Sequence, residues 1–287
     1  NKKKIIVTGH TGFKGSWLSL WLKLLGAKVL GISLDIPTYP SNFKIQNLKD
    51  KIIHKNIDIR NRKKLEKIFH NFQPDYIFHL AAQSLVKKSY QEPVYTFETN
   101  TLGTLNVLNG LKKIKKKCVA ILITSDKSYK NLELKRGYKE NDILGGTDPY
   151  SASKGSAEFI IQSYIKSYFL SENKNILIGV ARAGNVIGGG DWSENRLVPD
   201  CVKSWSNKRK VKLRNPYSTR PWQHVLEAVG GYLLLACKIK KNKKLSGEVF
   251  NFGPNNKNNY SVLSLVKNMQ KYWENVNWEK MTNLGKK

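Results

Sequence analysis

Lys4-Ile5-Ile6-Val7-Thr8-Gly9-His10-Thr11-Gly12-Phe13-Lys14-Gly15-Ser16-Trp17-Leu18 is the stretch on which the fold is read. A short apolar run, Lys4 to Val7, has the character of a buried strand. After it, Trp17, Leu18, Leu20, Trp21, Leu24 and Leu25 recur at helical spacing, with Gly26 as a fitting stop. Between strand and helix, Gly9, Gly12 and Gly15 follow G-x-x-G-x-x-G. Glycine there permits a tight turn, lets the backbone approach a pyrophosphate, and allows the helix to pack on the strand. The free amides and positive dipole end of that helix then hold phosphates. The expectation is a dinucleotide-binding turn built from Gly9, Thr11, Gly12, Phe13 and Gly15.

Reading outward, strands and helices alternate. Val29–Leu34, Ile52–Ile57, Tyr76–Leu80, Val119–Thr124 and Ile176–Ala181 read as further strands. Helices are expected from about Asn61 to Phe72, Asn100 to Leu111 and Pro149 to Phe169. Strands separated by helices predict an α/β fold, a Rossmann-type doubly wound parallel sheet covered on both faces. After Ala181 the pattern loosens into Gly- and Pro-containing segments, expected to lie over the carboxyl ends of the strands. This reading divides the chain into a dinucleotide-binding domain, 1–181, and a smaller C-terminal substrate lobe, 182–287, with some segments returning to the sheet. No initiator Met is present and Asn275 to Lys287 shows no clear element, so the expectation is of a chain truncated at its C-terminus.

The 287 residues allow one large domain or two small ones, and 40% apolar content supplies a sizeable core. No apolar run nears the roughly 18 residues of a membrane helix, and the short stretch before Thr8 is not expected to be a signal peptide. A cytoplasmic protein without membrane contact is expected. Cys118, Cys201 and Cys237 are far apart and odd in number, and the five histidines lack ligand spacing, so no disulfide framework or metal site is expected. Net charge is +29, yet only 8 of the 50 basic residues are Arg. Nucleic-acid readers favour Arg for bidentate contacts. The Lys clusters at 112–117 and 238–244 follow apolar helical stretches without interleaved aromatics, and read as solvated helix ends rather than a polyanion site.

Asp35 stands at the end of the second strand, about 20 residues beyond the last glycine, where a carboxylate suits the 2′-hydroxyl of NAD and repels the phosphate of NADP. A plain turn Asp before Pro37 is the alternative. Asp58 after the third strand could accept from the adenine amino group or cap the helix that follows. Tyr150 and Lys154, four apart on a helix, share one face. An adjacent ammonium favours the phenolate and makes Tyr a usable base. Ser125, ending the fifth strand, can donate to the oxygen that Tyr150 deprotonates.

Together, Thr8–Gly15, Leu80-Ala81-Ala82, Asn100, Ser125 and Tyr150-x-x-x-Lys154 resemble the extended short-chain dehydrogenase/reductases that act on nucleotide sugars. Within that group, Gly9–Trp17, Thr124-Ser125-Asp126-Lys127, Gly188–Trp192 and Thr219–Val225 are similar to the 4,6-dehydratases of CDP-glucose. The resemblance covers nearly the whole chain. It implies bound NAD, held by the glycine loop with Asp35, Asp58, Ile59, Leu80, Ala81, Ala82, Asn100, Tyr150 and Lys154. It implies a redox-neutral lyase: Tyr150 deprotonates the sugar 4-hydroxyl as hydride leaves C4, water is lost across C5 and C6, and the hydride returns to C6. Asp126 is placed like the acid that protonates the departing 6-hydroxyl. Where dTDP-glucose dehydratases carry Glu as C5 base, this chain has Lys127, which can act as a base only if neutral, or can instead stabilise the enolate. A capping Asp126 and a solvent-facing Lys127 are the plainer alternative. Gln83, Asn185, Arg196, Arg214 and Arg220 are the implied substrate contacts, and His224 is read as structural. The relatives imply a homodimer. Another nucleotide-sugar dehydratase or 4-epimerase, or a non-catalytic NAD-binding regulator with a polyanion-binding surface, are the competing readings.

Overall fold

The computed structural model describes residues 2–171, 175–255 and 260–281. Its centre is a seven-stranded parallel sheet of β1 (Lys4–Thr8), β2 (Lys28–Ser33), β3 (Ile53–Asn56), β4 (Tyr76–His79), β5 (Cys118–Ser125), β6 (Ile176–Ala183) and β7 (Val249–Phe252). The spatial order is β7-β6-β5-β4-β1-β2-β3. Chain direction along the sheet reverses beside β1, whose neighbours are β2 on one side and β4 on the other. Such a reversal opens a crevice at the carboxyl ends of the strands.

Alternation along the strands sorts the core into two layers. Ile5, Val7, Phe78, Ile121 and Ile123 face α1 (Phe13–Leu24) and a late helix, Val225–Lys241. Ile6, Ile77, Ala120, Leu122 and Ile178 face the opposite way. There they meet α2 (Arg62–Phe72), α3 (Gly103–Leu111) and α4 (Pro149–Tyr164), through Leu65, Phe69, Val107, Leu108 and Ile161. Gly26, in the left-handed region at φ +79°, ends α1 as expected. Helix α2 starts from Asn61, whose side chain accepts from the Lys64 amide, so the capping alternative for Asp58 does not hold.

Beyond β6, α5 (Leu197–Ser206), α6 (Val225–Lys241) and α7 (Val262–Gln270) appear. A third core of Cys201, Trp205, Val211, Leu213 and Val266 joins α5 and α7 to two short paired strands, Val211–Leu213 and Trp278–Lys280. The latter corrects the expectation that 275–287 holds no element; residues 282–287 lie outside the described residues. Strands of two to four residues carry too little periodicity to be read in advance, and their pairing is long-range. His224 caps α6, accepting from the Leu226 amide and donating its own to Glu227. Among the described residues, no helix is long and apolar enough to cross a membrane.

Ile121 is fully buried in the central strand β5. Ile121→Ala should therefore lower unfolding free energy by about 2–5 kcal/mol in chemical denaturation.

Candidate active site

At the switch between β1 and β4 the chain turns twice within contact distance. Gly9 has φ +76°, and a Cβ there would stand 2.7 Å from the Ala81 amide nitrogen. A Cβ on Gly15 would run into the Gly9 carbonyl. Glycine at these two positions lets α1 begin directly against the ends of β1 and β4. Its N-cap is Gly12, with no side-chain acceptor and no acid in the first turn. Helix N-termini leave backbone N–H groups without intrahelical partners, so this one offers bare donors and a positive dipole end to whatever anion sits over it.

That helix end opens on a cleft of about 1700 Å³ between the sheet and the C-terminal segments. Of the site residues expected from the sequence, all but Gln83 and Asn100 line it. Those two are turned into the fold. Asn100 accepts from the Gln83 amide (2.8 Å) and donates to the Gln83 carbonyl (3.0 Å) and to Ser153 Oγ (2.9 Å). The Gln83 side chain is used up by Thr96 and the Leu85 backbone. The pair ties the turn after β4 to the helix that carries Tyr150.

Near the β2 edge, Thr11 Oγ1 donates to the Asp35 carbonyl (2.5 Å), and the exposed Asp35 carboxylate faces the cleft. Asp58 accepts from the Arg60 backbone (2.8 Å) and from its guanidinium (2.7 and 2.9 Å). Burial alone would raise its pKa, but the Arg60 hydrogen bonds and charge hold it below the ordinary carboxylate value.

On the opposite wall, α4 presents Tyr150 and Lys154, both buried to within 8% exposure. Burial pushes the Tyr150 phenol up to about 12, against the pull of a Ser125 hydrogen bond, with Asp126 pushing further up and Arg196 pulling down. Burial also lowers Lys154 to about 8, and Glu158 partly opposes it. Ser125 Oγ donates to Asp126 Oδ1 (3.0 Å) and accepts from the Lys127 amide (3.2 Å). Ser125, not Asp126, is therefore the cap of the short turn that follows β5. Lys127 is exposed on the cleft wall, so burial does not supply the desolvation a neutral lysine base needs.

Three groups in or beside the cleft were not singled out from the sequence. Lys14, in the glycine loop, is partly buried and lowered to about 8 by burial, then by the charges of Arg196 and Lys154. Asp191 grips Arg196 (3.0 Å), which also donates to Ser84 (3.3 Å), linking the lobe to the turn after β4. Arg182 is buried with Glu158 behind Lys154. The i+4 spacing of Lys154 and Glu158 was the one available signal. Arg214 donates to Asn195 (2.6 Å) and Arg220 to the Thr219 carbonyl (2.7 Å). Among the described residues, no group of three or more His, Cys, Asp or Glu could hold a metal ion.

A parallel sheet with a glycine turn at its switch point, and Ser, Tyr and Lys converging on one cleft, define a Rossmann-type short-chain dehydrogenase/reductase. More narrowly, the chain belongs to the GDP-mannose 4,6 dehydratase family, whose family model matches residues 6–285. It is 45% identical over 280 residues to the CDP-glucose 4,6-dehydratase of Salmonella typhimurium, covering 96% of this chain and 78% of that one. Among solved structures it is similar to a UDP-glucose 4-epimerase with UDP-glucose from Thermotoga maritima (TM-score 0.82, 25% identity, 98% of this chain and 87% of that one). It shares its fold with a dTDP-glucose 4,6-dehydratase in complex with NAD from Bacillus anthracis (TM-score 0.77, 24% identity, 98% and 86% covered).

Lys14 keeps its proton to pH 10.5 when exposed but only to about 8 in the fold. The unfolded chain binds more protons between those values, so this group's cost to stability is full below about pH 8 and fades as pH rises towards 10.5. Lys14→Met should thus raise the melting temperature near pH 7 by about 2–4 °C, and the gain should shrink at pH 10 in parallel calorimetric scans.

Proposed function

We propose that this chain dehydrates CDP-glucose to CDP-4-keto-6-deoxyglucose with NAD as a recycled cofactor. The observation that carries the reading is the placing of Asp126 beside Ser125 and Tyr150 on one cleft wall, a proton donor that a simple epimerase does not require. The 45% identity to a CDP-glucose 4,6-dehydratase supports the nucleotide.

The residues present fit NAD. The uncapped start of α1 suits its pyrophosphate, and a Cβ on Gly12 would meet only the Gly9 carbonyl at 3.4 Å before entering the cleft. Asp35 would take the free ribose hydroxyl and Lys154 the nicotinamide ribose. When bound, NAD supplies an acceptor for hydride from C4 and returns that hydride to C6.

The protein's own groups handle the protons. Ser125 donates to the sugar 4-oxygen and Tyr150 takes its proton, giving the 4-ketone. That ketone acidifies the C5 proton. Asp126 protonates the departing 6-hydroxyl, which leaves as water. The C5 proton passes to a base on the cleft wall: Lys127 accepts it when neutral, and otherwise stabilises the enolate while a neighbouring group accepts it, a proton returning to C5 as hydride reaches C6. Asn185, Arg196, Arg214 and Arg220 would hold the nucleotide diphosphate, Arg by its planar fork. Residues 182–287 supply most of this substrate lobe.

We further infer a homodimer formed through the exposed Val94, Phe97 and Leu102 of helical segments that pack on α4, together with Phe159 of α4 itself. Three cysteines without disulfides support a reducing, cytoplasmic setting.

Incubation with CDP-, dTDP-, UDP- and GDP-glucose, followed by product mass, tests the reading. Loss of one water from CDP-glucose alone, without net consumption of NAD, is the expected result; no loss from any of them overturns it. Tyr150→Phe should cut kcat by about 10²–10⁴-fold while leaving the substrate Kd within a few-fold.

A further inference from the structure

The chemistry proposed above requires Lys154 to stay charged while buried. Groups from three elements act on it or are acted on by it. Lys14 comes from α1 and is a like charge. His79 comes from β4; burial first, then Lys154, pushes it down to about 3, and it is held between the hydroxyls of Thr8 (2.7 Å) and Thr104 (3.1 Å). The third is Glu158, one turn further along α4 itself, and of the charges that act on Lys154 it is the acid.

Glu158 is fully buried and tightly bound. Arg182, from β6, grips it with Nε on one carboxylate oxygen (2.9 Å) and Nη2 on the other (3.0 Å). Thr124, the residue before Ser125, donates its hydroxyl to the same carboxylate. The remaining guanidinium nitrogen of Arg182 donates to Tyr129 Oη (2.8 Å) and the Glu140 carbonyl (2.9 Å). These contacts tie Tyr129 and Glu140 to β6.

A buried ion pair of this kind adds little net stability over an apolar pair of the same shape. Its position is the informative feature: the carboxylate end lies one helical turn from Lys154, while the cation end points away towards Tyr129. We propose that Glu158 is a positioning residue that keeps Lys154 charged, with Arg182 and Thr124 fixing the carboxylate where it can do so; the claim rests on the Tyr150–Lys154 chemistry proposed above.

The test reads the protonation of Lys154 without turnover. Competitive acetylation with acetic anhydride across pH, followed by mass spectrometry of the Lys154 peptide, should give a wild-type midpoint near 8. Glu158→Gln should lower that midpoint by about one unit, leaving about tenfold more neutral lysine well below the midpoint. Glu158→Asp, which keeps the charge, should stay near wild type. Because Glu158→Gln strands Arg182 and can unfold the chain, the double variant Glu158→Gln/Arg182→Met removes both charges, and the same lowering is expected. The alkaline limb of the kcat profile should move down by the same interval. A merely structural pair would lower the melting temperature and leave the labelling midpoint in place, and that result in either folded variant overturns the proposal. Wild-type protein that labels as expected but turns over no CDP-glucose would instead overturn the function reading.

Discussion

The start of α1 imposes the constraint on which the rest of the cleft depends. A helix that opens on Gly12 with no capping side chain and no carboxylate in its first turn exposes amides that need an acceptor. The glycine turn brings those amides to the ends of β1 and β4, so close that a Cβ on Gly9 would collide with the Ala81 backbone. Sheet order does the remainder. Because β1 lies between β2 and β4, the Asp35 edge and the Ser125 edge fall on opposite sides of the helix end. A dinucleotide laid across it would span from Asp35 to Lys154.

Charge is distributed unevenly, and the unevenness is informative. The excess of +29 is carried mainly by Lys, and the runs near 112–117 and 238–244 are largely exposed. Exposed charges of this sort are screened beyond about 8 Å at physiological salt. Arginine behaves otherwise. Of the 8 in the chain, Arg196, Arg209, Arg214 and Arg220 line the cleft, and Arg182 is buried directly behind it. In a chain that otherwise uses Lys, Arg182 grips the buried Glu158 carboxylate with its planar fork. Burial then does the tuning. It moves Tyr150 up to about 12 and Lys154 down to about 8, so the site depends on neighbours to restore usable protonation states.

Most of the sheet was legible in the sequence because its strands are apolar runs punctuated by helices of 3.6 period. All six expected strands lie within two residues of their expected bounds. The cleft was legible for a different reason: the glycine triplet, Ser125 and the Tyr150–Lys154 spacing each sit at a strand end or helix start, where position follows from local geometry. What escaped depends on contacts between distant segments. β7 and the 278–280 strand are short edges recognised only by their partners. The Glu158–Arg182 pair joins residues 24 apart in sequence across two elements. Gln83 looks like a ligand-facing amide from its place after Leu80-Ala81-Ala82, yet the Asn100 clamp and Thr96 turn it inward. Lys14 is one of 42 lysines in composition, and only its placement beside Asp126, Asp191 and Arg196 distinguishes it.

The central claim is that one bound cofactor takes hydride from the sugar and gives it back to the same molecule. CDP-glucose carrying deuterium at C4 tests this most directly, with the product analysed by proton and deuterium NMR in ordinary water. The account predicts deuterium at C6 of the 4-keto-6-deoxy product, undiluted by solvent. Deuterium lost to solvent, or a product that keeps it at C4, would contradict the account.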